Sequence, residues 1–256
     1  MTNRNAVLKE KLLAKAAAVG TFIFSSETAN IEILGYGGFD FVIIDTEHSL
    51  NGQHNLAGLI RAAEVSGILP IVRVMENKPA LITKVLDGGA GGVLIPRVNT
   101  AEQAASAVKA AKYGPLGERG LAGIVRAARY GFTPLREYTN SQNHNSLVIV
   151  QIEDIAALDN VDEILAVDGV DGIFVGPADL SQSMGISGQF DNPQFKEVVK
   201  DVIQRGSRAG KISGIFSPTT DNAKVWQNAG ANFLAIGSDT MLFAQAVRTT
   251  IAAMQD

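Results

Sequence analysis

The chain has 256 residues, a formal net charge of -4, 46% hydrophobic and 19% charged residues, and no cysteine. That is globular composition; it excludes disulfides, zinc–thiolate and iron–sulfur sites and a cysteine nucleophile, and the mild acidity leaves no footprint for nucleic acid. No apolar run reaches the roughly 20 residues that cross a bilayer, and residues 1–15 are polar and basic without the apolar stretch of a secretory leader, so a cytoplasmic protein is expected.

Along the chain, short β-rich runs alternate with longer segments of helical spacing. The runs are residues 21–25, 41–45, 70–74, 92–96, 148–152, 172–176, 212–216 and 233–237. Several are almost wholly apolar, as strands covered by helices on their outer face should be. Helices are expected over 27–36, over 53–66 with Leu56, Leu59, Ile60 and Ala63 on one face, and over 79–87 with Pro79 in the first turn. Further helices are expected over 100–113, opened by a Thr100/Gln103 capping box, over 194–208 and 221–228, and over the amphipathic tail 242–254. This alternation builds βα units on a parallel sheet, and eight strands close a (β/α)8 TIM barrel. No Pro/Ser-rich linker or tandem repeat divides the chain, so residues 1–256 read as one domain. The interval 97–146 is too long for a simple βα connection. Its segment Gly114-Pro115-Leu116-Gly117-Glu118-Arg119-Gly120 lacks the Lys-Ser/Thr of a phosphate-binding loop. It reads as a glycine-hinged surface excursion, of the kind that helps build sites at the carboxyl end of a barrel.

In such a barrel the chemistry sits where the strands end. The second run ends in Asp45-Thr46-Glu47-His48, the third carries Arg73, the fifth gives Gln151 and Glu153, the sixth Gly176-Pro177-Ala178-Asp179, and the eighth Gly237-Ser238-Asp239. Arg73 has two readings: a structural ion pair to Asp45 or Asp87, or a fixed cation aimed at an anionic substrate or a developing oxyanion. Glu153 and Asp179 also have two: Asp179 caps the helix that follows, or the two carboxylates share one hard divalent cation, Mg²⁺ or Mn²⁺ by their oxygen-only chemistry. His48 is the one histidine placed for acid–base work; His54 and His144 read as surface residues.

These residues, in this order, resemble the HpcH/HpaI aldolase family. The resemblance runs from about Gly20 to Phe243. It is carried by 38–48 (GFDFVIIDTEH), 70–74 (PIVRV), 84–89 (KVLDGG), 150–153 (VQIE) and, most specifically, 169–180 (GVDGIFVGPADL). It implies a phosphoenolpyruvate/pyruvate-type barrel and a metal-dependent (class II) pyruvate aldolase, a lyase cleaving 4-hydroxy-2-oxo acids of the 2-keto-3-deoxy type. Glu153 and Asp179 would ligate the metal (Mg²⁺, Mn²⁺ or Co²⁺), with no organic cofactor, and pyruvate would chelate it. The N–H groups near Ala178 and Asp179 would hold the substrate carboxylate, Arg73 the keto or enolate oxygen. His48, oriented by Asp87, would be the base, and Gln151 and Asp45 would support the site. The family also implies a homohexamer, a trimer of dimers with the C-terminal helix exchanged; the residues of this chain's final helix allow that packing and equally allow it to be the barrel's own eighth helix. In some relatives a neighbour's long loop, here 119–130, helps close the site.

Relatives often have Gly between the Asp and the Glu-His, and Pro or Gly soon after the His; here these are Thr46 and Ser49-Leu50-Asn51. The aldehyde is where the resemblance is weakest: succinic semialdehyde, tartronate semialdehyde and simpler aldehydes stay open. Oxaloacetate decarboxylation would pass through the same enolate. Two other readings compete. One is an acyl-CoA lyase of the citrate-lyase β type, for which Arg126 and Arg129 are the available cations. The other is a barrel that binds a keto acid without turnover.

Overall fold

The computed structural model describes residues 4–255. In chain order the elements are α1 (Arg4–Leu13), β1 (Ala18–Ile23), α2 (Thr28–Tyr36), β2 (Phe41–Asp45), α3 (Gln53–Ser66), β3 (Leu69–Arg73), α4 (Pro79–Asp87), β4 (Gly92–Ile95), α5 (Ala101–Ala111), α6 (Leu135–Asn145), β5 (Leu147–Ile152), α7 (Ile155–Leu158), α8 (Val161–Ala166), β6 (Gly172–Val175), α9 (Pro177–Ser183), α10 (Pro193–Arg208), β7 (Ile212–Ser217), α11 (Thr220–Ala229), β8 (Phe233–Ser238) and α12 (Asp239–Gln255). The eight strands are parallel, each pairs with its neighbours in sequence, and β8 returns to β1 to close the barrel. No helix among the described residues is long and apolar enough to cross a membrane.

The period of two along each strand divides the core. Val42 and Ile44, Val72, Val93 and Ile95, and Val148 and Val150 face outward into the layer beneath the helices. Phe41 and Ile43, Leu69 and Ile71, Leu94, Leu147 and Ile149, Phe174, Ile212 and Phe233 fill the interior. Phe41 and Phe233 stack at 3.8 Å between centroids. They need Gly20 beside them, because a β-carbon there would lie 2.3 Å from the Phe41 ring. Continuing the inward series gives Asp45 after Ile43 and Arg73 after Ile71 in one step, and Gln151 and then Glu153 after Ile149 in two. The alternation that fills the interior thus delivers a polar layer to the carboxyl end.

α1 was not expected from the sequence. Its Leu8 and Leu12 are buried with the interior residues, and the Asn232 side chain donates to the Leu12 carbonyl at 2.7 Å, so α1 stoppers the amino end. β1 begins at Ala18, ahead of the expected 21–25, and its third residue, Gly20, is set by fit against the Phe41 ring rather than by bulk. At α5 the Thr100 hydroxyl accepts from the Gln103 N–H; the return leg of the expected capping box goes instead to Asn99, whose N–H donates to Gln103 Oε1 at 2.6 Å.

The interval 97–146 corrects an expectation. After α5 has carried the chain back to the amino end, everything up to β5 stays there, since β5 also starts at that end. A 3-10 turn over Arg126–Gly131 and α6 occupy the segment. Arg126 donates to the Gly88 carbonyl just past α4 and pairs with Glu64 near the end of α3. Lys112 is buried and donates to the Ser146 and Asn143 carbonyls at 2.6 and 3.0 Å; burial lowers its pKa to about 8. The segment is pinned structure on the face opposite the strand-end residues.

Phe41→Ala, which empties the centre of the stack, should cost about 3–5 kcal/mol of stability, read as a lowered denaturation midpoint with the barrel's circular dichroism retained. A midpoint like that of the parent would remove this ring from the core.

Candidate active site

Asp45 and Arg73 are register partners on β2 and β3, and their side chains meet as a planar fork. Arg73 Nε and Nη2 donate to the two Asp45 oxygens at 2.8 and 3.0 Å. Arg73 is 6% and Asp45 0% exposed, a setting in which a charge left alone would be costly. Asp45 also accepts the backbone N–H groups of Glu47 and His48 at 3.0 and 3.1 Å, which folds the chain after β2 into a turn presenting both side chains. Arg73 therefore makes the structural pair that was one of its two readings, with Asp45 and not Asp87. Nη1 stays outside that pair, 3.3 Å from Glu47 Oε2, and the guanidinium lies 5.0 Å from the Phe22 ring centroid.

Glu153 and Asp179 follow β5 and β6, which are neighbours. Glu153 is held on both oxygens: the Arg97 N–H donates to Oε1 at 2.8 Å and Gln151 Nε2 to Oε2 at 2.5 Å. Gly176 leaves the room for this, since a β-carbon there would lie 2.6 Å from Glu153 Oε2. Asp179 makes no capping bond, α9 being entered through Gly176 and Pro177, and it is half-buried. The helix-capping reading of Asp179 therefore fails. The Glu153 carboxyl is pushed up to about 7, first by burial and then by the Asp179 and Glu47 charges, against the Arg97 N–H and Arg73. Burial likewise raises Glu47, opposed chiefly by Arg73.

Glu47 and Arg97 were not singled out from the sequence. Glu47 Oε2 and Gln151 Oε1 are buried without a hydrogen-bond partner, and two like charges bear on Glu153. An acid cluster with orphaned oxygens is a fit for a cation. Among the described residues no group of three or more His, Cys, Asp or Glu side chains is arranged to hold a metal, so the fit is that of two carboxylates with positions left open for other oxygens. Glu47 could have been read from its place between Asp45 and His48. Arg97 had only the signal of a charge directly after an apolar run and a proline.

His48 is half-exposed, with Nε2 3.8 Å from Glu47. Within the chain Asp87 is not its partner. Asp87 ends α4 and pairs with Arg119 at 2.5 Å, in a flank cleft of about 530 Å³ also lined by Lys84 and Lys109. The reason is topological: a helix that follows a strand runs back toward the strand starts. Leu180 N–H closes the first turn of α9 on the Gly176 carbonyl, so the N–H groups of Ala178 and Asp179 precede the first helical bond and point outward from it. Because α9 has only seven residues, they would act by direct hydrogen bonding more than through a helix dipole. Strands β1–β8 contain no lysine, so a Schiff-base nucleophile has no place among them.

A parallel eight-stranded barrel with acids, a guanidinium and a histidine at the carboxyl ends of its strands has the layout of a barrel enzyme's active face. The family model for HpcH/HpaI aldolase/citrate lyase matches residues 18–246, and the chain belongs to that family. It is 39% identical, over 95% of its length and 91% of the relative's, to the 2-keto-3-deoxy-L-rhamnonate aldolase of Escherichia coli strain K12. Among solved structures it is similar to an HpcH/HpaI aldolase/citrate lyase family protein from Burkholderia cenocepacia J2315, at TM-score 0.93 and 32% identity, covering 98% of this chain and 99% of that one. It is also similar to the citrate synthase SbnG, at TM-score 0.87 and 33% identity, covering 97% of each.

The Glu153 shift gives a sign. A carboxyl that holds its proton up to about 7 in the folded chain, against 4.5 ordinarily, makes the metal-free protein less stable as pH rises through that window. A cation that replaces the proton should bind more tightly over the same rise and release a proton when it binds. Calorimetric Mn²⁺ titration at about pH 6, in buffers of different ionisation enthalpy, should show that release, and Glu153→Gln should abolish it. A binding heat independent of buffer would rule out a cation displacing the Glu153 proton.

Proposed function

We propose that the protein reversibly cleaves a 4-hydroxy-2-oxo acid of the 2-keto-3-deoxy type to pyruvate and an aldehyde, as a carbon–carbon lyase. The observation that supports this reading is the Glu153 carboxyl, fixed by the Arg97 N–H and near enough to Asp179 and Arg73 for both charges to bear on it, with one Arg73 nitrogen outside its pairing with Asp45. Glu153 and Asp179 would hold a divalent cation, Mg²⁺ or Mn²⁺ and also Co²⁺ by donor chemistry, which when bound supplies a Lewis acid for the keto acid's oxygens. The N–H groups of Ala178 and Asp179 receive the substrate carboxylate. Gln151 keeps Glu153 oriented. Arg73 meets the keto oxygen with Nη1, where charge accumulates. His48 takes the proton of the C4 hydroxyl; the C3–C4 bond breaks, C4 leaves as the aldehyde carbonyl, and the electron pair passes into the pyruvate enolate. The same proton returned to C3 completes pyruvate. Asp45 acts through its hold on Arg73 and on the turn bearing His48.

Oligomerisation belongs to the same reading. α12 has 17 residues, and Leu242, Phe243, Val247, Ile251 and Met254 are exposed on it. A second copy would cover them, in the exchanged-helix hexamer that the family resemblance implies. Asp87, Arg119 and the segment after it lie away from their own strand ends, so they would reach a His48 only in a neighbouring subunit. The acyl-CoA lyase reading is weaker, because Arg126 is paired with Glu64 on the amino-end face. The cytoplasmic location goes with this proposal, in keeping with a chain free of cysteine.

Arg73→Ala should lower pyruvate release from 4-hydroxy-2-oxo acids by about 100-fold or more, in a coupled assay run with and without EDTA. Near-parental rates would take Arg73 out of the mechanism, and full turnover after thorough chelation would point to imine chemistry. Val247→Asp with Ile251→Asp should lower the sedimentation mass from a hexamer; a parent chain that sediments as a stable monomer would end the hexamer proposal.

A further inference from the structure

Arg97 is a cation at the strand ends whose side chain the chemistry above leaves unused. Its φ of 55° is left-handed although it is not glycine, a conformation a side chain adopts only where the surroundings impose it. Here the backbone is fixed by its N–H on Glu153, and the side chain is sent outward, 74% exposed. Nε lies 3.9 Å from Glu47 Oε1, too far for a hydrogen bond, and among the described residues no hydrogen bond engages the guanidinium. Arg73, by contrast, commits two of its nitrogens to Asp45. Across the barrel, β1, β7 and β8 run out into Phe24-Ser25, Ser217-Pro218 and Ser238-Asp239, without Lys or Arg, and Asp239 is occupied by the Phe24 and Ser25 N–H groups.

We propose that Arg97 is a specificity-determining residue. Its guanidinium fork receives a carboxylate at the far end of the aldehyde half of the substrate, so that the aldehyde taken is an anionic semialdehyde. A contact as long as Arg97–Glu47, made by an arginine that is largely in solvent, is weak, and a planar carboxylate that offers two acceptors displaces it. This rests on the aldolase reading and goes beyond it by naming the aldehyde class.

The test uses the Mn²⁺-loaded enzyme as parent, R97M and R97K. Two 4-hydroxy-2-oxo acids serve as donors, one built on succinic semialdehyde and one on lactaldehyde. R97M should raise KM for the carboxylate-tailed donor by about tenfold and leave the neutral-tailed donor within about twofold, with R97K between. Calorimetric binding of 2-oxoadipate against 2-oxobutyrate should split in the same way, which a purely structural role of Arg97 would not produce. Equal changes for both tails, or none, overturn the proposal. Should neither donor release pyruvate and pyruvate C3 hydrogens also fail to exchange with deuterium, the aldolase reading falls, and the two binding affinities still decide the role of Arg97.

Discussion

The Asp45 carboxylate organises the carboxyl end of this barrel. Four donors converge on its two oxygens: two from the Arg73 fork and the N–H groups of Glu47 and His48. Taking such a pair out of water is expensive, and a buried ion pair is often no more stabilising than apolar residues of the same size. Its return here is geometric. One carboxylate ties β2 to β3, aims a guanidinium and shapes the turn that carries the acid and the histidine. Glu153 repeats the device on the other side, with the Arg97 N–H and the Gln151 amide as its two clamps. Both arrangements hold charged groups still before any reactant arrives, which is where electrostatic catalysis draws its advantage.

The barrel was legible because short β-branched and aromatic runs, such as Phe-Val-Ile-Ile-Asp in β2 and Leu-Val-Ile-Val-Gln-Ile in β5, alternate with longer segments of helical spacing. β1 was placed late because Gly20, which must lack a side chain beside the Phe41 ring, interrupts its apolar run. α1 and α6 were missed for a related reason. α6 is rich in Asn, Gln, Ser and Thr and is held by the tertiary contacts of Tyr138 and Asn143, not by an apolar stripe. The Leu8 and Leu12 pair of α1 was too sparse to mark a helix.

At the site, residues named from strand ends lie together where a strand's own register puts them: Asp45, Arg73, Gln151 and Glu153. Asp179 joins them through the contact of its strand with β5. Two features depended on more than register. Arg97 contributes through a backbone conformation that no residue type announces. Asp87 was linked to His48 by family resemblance, and within one chain helix direction separates the two.

The stopper formed by α1 has a consequence for traffic. With Leu8 and Leu12 seated among the interior side chains, the packed core is sealed at its amino end, and the acids meet solvent at the carboxyl end alone. Whatever enters to meet the acids must leave by the route it took, past the half-exposed histidine and the outward guanidinium, so those two side chains flank both arrival and departure.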